Sequence, residues 1–246
     1  MTNTHEVSER AEKDYQESLE KLDLLKAMVA KGTKPIPMQS QYSQYQEIKT
    51  KLVTRFSKES IKTIMFTSAA HGNGSSFTAV SFATTLAKDS RLNVALLDAN
   101  LRSPKLHEIF KIEPKQGLSD ILNQDEPGNY CFKKLGPKGL YLIPCGEKNS
   151  DPMSLFESIR FEKALKIMRE KFHYVILDSP PVNSYGESTV IASKVDGVIM
   201  VLESDKTRQQ VAIRAKEEME KAGANVLGVI LNKRKHYIPE WIYTRL

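Results

Sequence analysis

The sequence has few cysteines and no long apolar run. Its 246 residues include two cysteines, Cys131 and Cys145, too few for the disulfide framework of a small secreted protein. No stretch of about 18 apolar residues occurs, so no membrane-spanning helix is predicted. The first 15 residues are polar and acidic, unlike a secretory signal. We therefore expect reduced thiols and a cytoplasmic location, with peripheral attachment at the inner face of the cell membrane as an additional expectation.

Metal-site spacing and a strong charge imbalance are missing as well. The five histidines are scattered, and no pair of cysteines or histidines has zinc-site spacing, so a zinc module is not expected. Lys and Arg exceed Asp and Glu by 36 to 30, a formal charge of +6. This small excess is compatible with an anionic partner such as a nucleotide or a membrane surface. A generic solubilising surface is the more common explanation of such an excess.

The pattern from residue 61 onward is that of an α/β protein. Short apolar runs alternate with helical segments over 75–88, 154–171 and 206–222. The runs cover 61–68, 92–98, 140–144, 173–178, 197–203 and 225–231. Continuous Val, Ile and Leu runs between helices indicate a doubly wound parallel sheet that is covered on both faces. Such sheets bind ligands at the carboxyl ends of their strands, so we expect functional residues there.

The N-terminal region is predicted to be separate from this domain. Residues 6–31 have an apolar stripe at helical spacing, and Gly32 with the following Lys-Pro-Ile-Pro ends the helix. A polar stretch over 39–46 is expected to separate this helix from the rest of the chain. The helix either docks on its own domain or binds a partner. The predicted division is a helical arm and linker over 1–42, a domain over 43–235 and a tail over 236–246.

A glycine-rich loop follows the first predicted strand and precedes a helix. Backbone N–H groups in such a loop bind phosphate, and a hydroxyl at its end can ligate magnesium. Position 75, where this motif requires lysine, is serine. A strand-to-helix turn with a serine N-cap accounts for the loop equally well. The candidate binding residues are His71, Gly72, Asn73, Gly74, Ser75 and Ser76, with Ser76 also a candidate metal ligand.

Two aspartates stand at predicted strand ends. Asp98 ends the second run and Asp178 ends the fourth. A magnesium-nucleotide site requires one carboxylate near the metal and a second on its water shell or on the nucleophile. A single aspartate after a strand is more often a helix cap. Because both occur together with the loop, Asp98 and Asp178 are candidate catalytic and metal-binding residues.

Several motifs together resemble a known family, the cytoplasmic domain of the bacterial tyrosine kinases. This P-loop NTPase branch is related to MinD and ParA and governs capsule and exopolysaccharide synthesis. The similarity covers roughly residues 43–235 and rests on TSAAHGNGSS, LLDANLRSPKLHEIF, GLSDIL, LIPCGEKNSDPMSLFES, YVILDSPPV, VDGVIMVLESDKT and GVILNKRK. The resemblance implies ATP or ADP with Mg²⁺ as cofactor. It makes the loop a Walker A site, places Asp98 in Walker A′ and Asp178 in Walker B, and puts Asn232 at the nucleotide base.

The chain also departs from the family pattern. Ser75 replaces the phosphate lysine, Phe77 a hydroxyl residue and Asn100 the second Walker A′ aspartate. The family's Glu-x-x-Arg-x-x-Arg oligomer motif aligns with residues that do not match it, namely Ser43, Gln46 and Lys49. The tail contains Tyr237 and Tyr243 but no dense tyrosine cluster. Together these losses predict a degenerate kinase with weakened nucleotide binding.

The functional expectation is therefore a catalytically impaired regulatory protein of polysaccharide synthesis or export. Its expected partner is an inner-membrane polysaccharide co-polymerase or chain-length protein. Homo-oligomers are a further expectation, and nucleic acid is not expected as a partner. One alternative is an active ATP-dependent tyrosine autokinase that uses Asp98 as its metal or base residue. Arg102, a further candidate cofactor-binding residue, or Lys105 would then supply the missing charge. Another is a ParA-like ATPase that positions cargo, although Ala70 and Ser75 occupy the positions of its signature lysine.

Overall fold

A computed structural model describes residues 38–55, 61–89, 91–123, 132–136, 139–149 and 151–234. The predicted arm helix over 6–31 and the tail over 236–246 lie outside these ranges. The helices are α1 (Met38–Arg55), α2 (Ser75–Ala87), α3 (Leu106–Phe110), α4 (Leu118–Asn123), α5 (Pro152–Glu157), α6 (Ile159–Lys171), α7 (Glu187–Lys194) and α8 (Gln209–Lys221). The strands are β1 (Thr63–Ser68), β2 (Val94–Asp98), β3 (Lys133–Lys134), β4 (Leu140–Ile143), β5 (Tyr174–Asp178), β6 (Gly197–Glu203) and β7 (Val226–Asn232).

The strands form one sheet in the order β3-β4-β2-β5-β1-β6-β7. All neighbouring pairs are parallel except the short β3, which runs antiparallel to β4. This confirms the predicted doubly wound, mostly parallel sheet. Strand β1 lies between β5 and β6. Strands β2 to β5 therefore lie on one side of β1, and β6 and β7 lie on the other side. The glycine-rich loop after β1 consequently lies near the middle of the sheet edge.

Helices cover both faces of the sheet, which explains the continuous apolar runs. All six residues of β1 and all five of β2 are buried. On one face, Phe66 and Leu96 pack with α2 and α3 through Phe82, Leu86 and Leu106. The opposite face packs against the second set of helices with Leu118, Phe156, Phe161, Leu165, Ile191 and Met219. Burial of the inner strands on two sides is what the parallel arrangement requires, whereas the edge strand β7 is partly exposed.

Helix α1 corrects one prediction. The polar stretch 39–46 was expected to be a separating segment, but it belongs to α1, which extends from Met38 to Arg55. Tyr45, Ile48 and Leu52 pack against the core on the α2 side of the sheet. Their spacing of three and four residues places them on one helix face. Burial raises the pKa of the Tyr45 hydroxyl, and the nearby Ser81 and Thr78 side chains oppose this rise.

The other helix predictions need smaller corrections. The segment 154–171 is two helices, because Ser158 has an extended backbone (φ −65°, ψ 150°) that separates α5 from α6. Asp151 caps α5 by accepting from the Ser154 amide, and Pro152 begins that helix. The short helices α3 and α4 and the helix α7 were not predicted. No helix within the described residues combines the length and the apolar character needed to cross a bilayer.

Candidate functional site

The carboxyl ends of β1, β5 and β2 bring the predicted site residues to one edge of the sheet. Asp98 and Asp178 are the last residues of β2 and β5 and are paired across the ladder. Phe66, near the end of β1, is paired with Asp178 on the other side. The loop 69–76 starts just beyond β1 and leads into α2. The structure therefore places the loop and both aspartates together, as the sequence predicted.

The loop adopts a conformation that its glycines permit. Gly72 and Gly74 have φ values of +82° and +90°, in a region that side chains with a Cβ disfavour. The side chain of Asn73 is buried and holds the loop in place. Its Oδ1 accepts from the Ala70 amide at 3.1 Å, and its Nδ2 donates to the Thr207 hydroxyl at 3.0 Å. Asn73 therefore positions the loop backbone.

Asn232 contacts the loop from the end of β7. Its Nδ2 donates to the Asn73 carbonyl at 2.9 Å. A Cβ added at Gly74 would lie 2.3 Å from the same Nδ2. The nucleotide-base role implied for Asn232 remains a prediction, and in this structure its amide braces the loop. Glycine is thus favoured at position 74 for two reasons: the backbone has a positive φ, and the Asn232 amide lies where a Cβ would be.

Replacing Gly74 with alanine should destabilise the protein more than the matched Gly72→Ala change. Both positions have a positive φ, which costs an alanine about 1–2 kcal/mol. A Cβ at Gly72 meets no atom within 4 Å. At Gly74 it displaces the Asn232 amide and breaks its hydrogen bond, for about 1 kcal/mol more. Urea unfolding of both variants measures the difference, and equal losses would contradict the bracing role of Asn232.

The two aspartates form a buried pair with unsatisfied oxygens. Both residues are 0% exposed. Oδ2 of Asp98 accepts from the amides of Lys105 and Leu106 at 3.2 and 3.0 Å. Oδ1 of Asp98 and both oxygens of Asp178 lack a hydrogen-bond partner among the described residues. Three such atoms at one edge are unusual, because buried polar atoms nearly always have partners.

Burial dominates the electrostatics of this pair. It raises the pKa of Asp98 to about 7, although three backbone amides oppose the shift and the charge of Glu108 adds to it. Burial, and next the charge of Asp98, raise the pKa of Asp178 well above its ordinary value. The nearby Ser76 hydroxyl lowers the pKa of Asp178 in part, although its geometry does not complete a hydrogen bond. Oxygen atoms of two carboxylates and a hydroxyl suit Mg²⁺, so the residues present fit that ion.

Three cations near the site are already engaged by acidic or carbonyl groups. Arg102 donates its Nε to Oε1 of the buried Glu187 at 2.8 Å. The Lys105 ammonium lies 3.1 Å from Glu108. The Lys233 ammonium donates to the Gly72 carbonyl at 2.7 Å and pairs with Glu203. An active autokinase would need Arg102 or Lys105 to replace the missing lysine. In this structure each of the two side chains is instead paired with a glutamate.

The remaining predicted residues are close to the loop but have structural contacts. Asn100 is buried, and its Oδ1 accepts from the Ser103 amide at 3.2 Å, closing the turn after β2. The exposed ring of His71 meets the edge of the Tyr185 ring at 5.7 Å. The Arg102 guanidinium lies over the Tyr185 ring, with its Cζ atom 5.6 Å from the ring centroid. Tyr185 therefore connects the loop to the segment that follows β2.

Sequence reasoning missed several residues at this edge. Tyr185 and Glu187 follow the Asp178-Ser-Pro-Pro segment and contact Arg102. Lys233 could have been predicted to lie near the loop, because it directly follows the candidate residue Asn232. His107 and Cys145 offer ligand atoms within 4.8 Å of one another and of an Asp98 oxygen. No sequence spacing predicted that cluster, because its members come from three separate segments.

Comparison with known proteins gives a consistent result. The ParA family profile, described as NUBPL iron-transfer P-loop NTPase, matches residues 59–241. Tyrosine-protein kinase CpsD of Streptococcus agalactiae is 29% identical over 180 residues, which cover 73% of this chain and 78% of that protein. Tyrosine-protein kinase YwqD of Bacillus subtilis is 29% identical over 203 residues, 82% of this chain and 84% of the relative.

Solved structures resemble the fold. The kinase domain of the Escherichia coli tyrosine kinase ETK superposes with a TM-score of 0.74 at 24% identity, covering 80% of this chain and 78% of that domain. At this identity the likeness establishes the fold alone. The family profile spans the sheet, the glycine-rich loop and both aspartates. The protein is thus similar to bacterial tyrosine-protein kinases in sequence and belongs to the ParA family of P-loop NTPases.

Proposed function

We propose that this protein is a catalytically impaired P-loop NTPase that regulates capsule or exopolysaccharide synthesis or export. It acts in the cytoplasm, at the inner face of the cell membrane, by docking on a polysaccharide co-polymerase or chain-length protein of the inner membrane. Its similarity to bacterial tyrosine-protein kinases supports the setting. The impairment rests on Ser75, the first residue of α2.

The observation that carries the proposal is the lack of a lysine at this position. Ser75 offers a hydroxyl where a phosphate-binding loop ordinarily presents a positive charge. Phosphoryl transfer relies mainly on positioning and on cations at the β- and γ-phosphate oxygens. By analogy with one neutral oxyanion donor, losing such a contact costs about 3 kcal/mol of transition-state stabilisation. The engagement of Arg102 with Glu187 and of Lys105 with Glu108 leaves that loss uncompensated.

Weak nucleotide binding is still compatible with this site. The backbone N–H groups of residues 72–76 and the start of α2 would hold the phosphates, since these groups do not depend on the residue at position 75. Ser76, Asp98 and Asp178 would hold Mg²⁺ directly or through its water. Bound Mg-ATP would supply an activated phosphoryl group. With Ser75 in place, the protein itself provides orientation without the charge that drives transfer.

An active tyrosine autokinase is the second candidate. Asp98 and Asp178 are both present at adjacent strand ends, and the relatives are named tyrosine-protein kinases. Against it stand Ser75, Asn100 and the two scattered tyrosines of the tail. The third candidate, a ParA-like ATPase that positions cargo, has less support because Ala70 and Ser75 occupy the positions of its lysine.

Autophosphorylation separates the first two candidates. We expect no phosphotyrosine at Tyr237 or Tyr243 after incubation of the full chain with Mg-ATP, because the charge that assists transfer is absent. Mass spectrometry of the digested protein checks this result. Stoichiometric modification that disappears in Asp98→Ala would establish the autokinase and refute the impaired regulator. Tyr185→Phe controls for phosphorylation of Tyr185, the tyrosine that packs beside the loop.

Helix α1 bears on the oligomeric state. Lys49 aligns with the last arginine of the family's oligomer motif, and its ammonium lies 3.8 Å from Asp89 of the same chain. The apolar side of α1 is packed on its own domain through Ile48 and Leu52. We therefore propose that assembly through this helix is lost and that any homo-oligomer uses another surface.

A further inference from the structure

Three potential metal ligands converge beside the aspartate pair. Asp98 ends β2, His107 lies in α3, and Cys145 comes two residues after β4. Strands β2 and β4 are parallel neighbours, so their carboxyl ends lie at the same edge. One carboxylate oxygen of Asp98, one imidazole nitrogen of His107 and the sulfur of Cys145 all lie within 4.8 Å of one another. Residues 98, 107 and 145 thus form a three-donor cluster.

Two of the three residues are buried, His107 is half-buried, and the cluster is only partly satisfied in hydrogen bonding. Asp98 and Cys145 are 0% and 5% exposed. Oδ1 of Asp98 and Nδ1 of His107 are buried atoms that have no hydrogen-bond partner among the described residues. The Cys145 thiol contacts only the Gly146 carbonyl among its described hydrogen bonds, at 3.4 Å. Two unpartnered polar atoms on neighbouring side chains call for a ligand, because such atoms are normally hydrogen-bonded.

We propose that Asp98, His107 and Cys145 bind a zinc ion. A sulfur, an imidazole nitrogen and a carboxylate oxygen form a mixed donor set that suits Zn²⁺ and does not suit Mg²⁺ or Ca²⁺, which prefer oxygen ligands. Zinc at about 2.0–2.3 Å from each donor holds its ligands within about 4 Å of one another. Closing the cluster from 4.8 Å therefore requires side-chain movements of about 1 Å. Three protein donors leave a fourth position for water.

The site is distinct from the predicted magnesium site but shares Asp98 with it. Asp178 and Ser76 belong to the loop side of Asp98, whereas His107 and Cys145 come from α3 and the end of β4. The absence of zinc-finger spacing in the sequence does not exclude such a site, because its ligands are 9 and 38 positions apart along the chain. A zinc ion here would link β2, β4 and α3.

Metal titration of the full chain without nucleotide tests this proposal. After treatment with a chelator and removal of the chelator, Zn²⁺ is added and bound metal is measured by equilibrium dialysis. We expect one high-affinity ion per chain. Cys145→Ser and His107→Ala should each weaken binding by about a hundredfold or more, since loss of a supporting residue alone costs 10- to 100-fold. Co²⁺ as a probe should show a thiolate-to-cobalt absorption band that disappears in Cys145→Ser.

Matched controls use a cysteine and a histidine outside the cluster. Cys131→Ser and His173→Ala should bind Zn²⁺ as the unmodified protein does, because the His173 imidazole instead accepts from the Asn93 amide. Circular dichroism verifies that each variant is folded, and Cys145→Ala replaces Cys145→Ser if the latter is not. Absence of stoichiometric Zn²⁺ binding, or binding that survives both Cys145 and His107 substitutions, would overturn the proposal. Either result would leave the proposed impaired NTPase untouched, because that rests on Ser75.

Discussion

Replacing Ser75 with lysine should strengthen ATP binding in the presence of Mg²⁺ by about tenfold to a hundredfold. A hydrogen bond to a charged group contributes about 1.5–3 kcal/mol, and each 1.4 kcal/mol is about tenfold in affinity. Ser75 is the first residue of α2 and is half-buried, so a longer side chain can extend along the loop. Isothermal titration calorimetry with the unmodified protein and Ser75→Lys measures the change.

The matched control for that experiment is Ser75→Met. Methionine has a length close to that of lysine and no charge, so it should leave the affinity low. Lysine at a helix N-terminus also opposes the helix dipole, and the variant should lose about 0.3–1 kcal/mol of stability without nucleotide. Low-micromolar, Mg²⁺-dependent binding by the unmodified protein would refute the weakened site. Equal gains with methionine and lysine would show that charge is not what the loop lacks.

The unfolding free energy of the metal-free protein should fall as the pH rises from about 4 to about 7. The folded state raises the pKa of Asp98 from 3.8 to about 7, so between these values the folded chain holds a proton that the unfolded chain has released. Raising the pH then favours the unfolded state. Raising the pKa from 3.8 to about 7 corresponds to roughly 4 kcal/mol, and the raised pKa of Asp178 acts in the same direction.

Asp98→Asn should remove the part of this dependence that Asp98 contributes and leave the part from the buried Asp178. Its side-chain oxygen can still accept from the amides of Lys105 and Leu106, while no charge is buried. We expect the variant to match the unmodified protein near pH 4 and to be the more stable of the two at pH 8. Urea unfolding with a chelator present measures both profiles.

The control for the pH series is Asp89→Asn. Hydrogen bonds from Arg91 lower the pKa of the half-buried Asp89 carboxylate to about 2. Its contribution is present above the unfolded pKa and is lost as the pH falls through the folded value, outside the window tested. Asp89→Asn should therefore keep the slope between pH 4 and pH 7. A flat profile for the unmodified protein would contradict the burial of two uncompensated carboxylates.

Much of the fold follows from local patterns. The run 197–203 coincides with β6, and the other predicted strands match within two residues at their starts and ends. The inner strands β1, β2, β5 and β6 are almost fully buried, so nearly all of their positions are apolar or small and the signal is strong over a few residues. The polar stretch 39–46 misled because three apolar residues suffice to dock α1. Tyr45, Ile48 and Leu52 are too few for their helical spacing to stand out among glutamines and serines.

The sequence by itself determined the fold class, the phosphate-loop spacing with its missing lysine, and the two aspartates at strand ends. Each of these depends on residues close together in the chain or on the rule that parallel strands end at one edge. Only the tertiary structure decided which groups meet across that edge. Arg102 meets Glu187 and Lys233 meets Gly72 over 85 and 161 positions. Asp98, His107 and Cys145 likewise converge because β2 and β4 pair side by side. Such contacts depend on strand order and helix packing, and these cannot be predicted from the spacing of residues that are close together in the sequence.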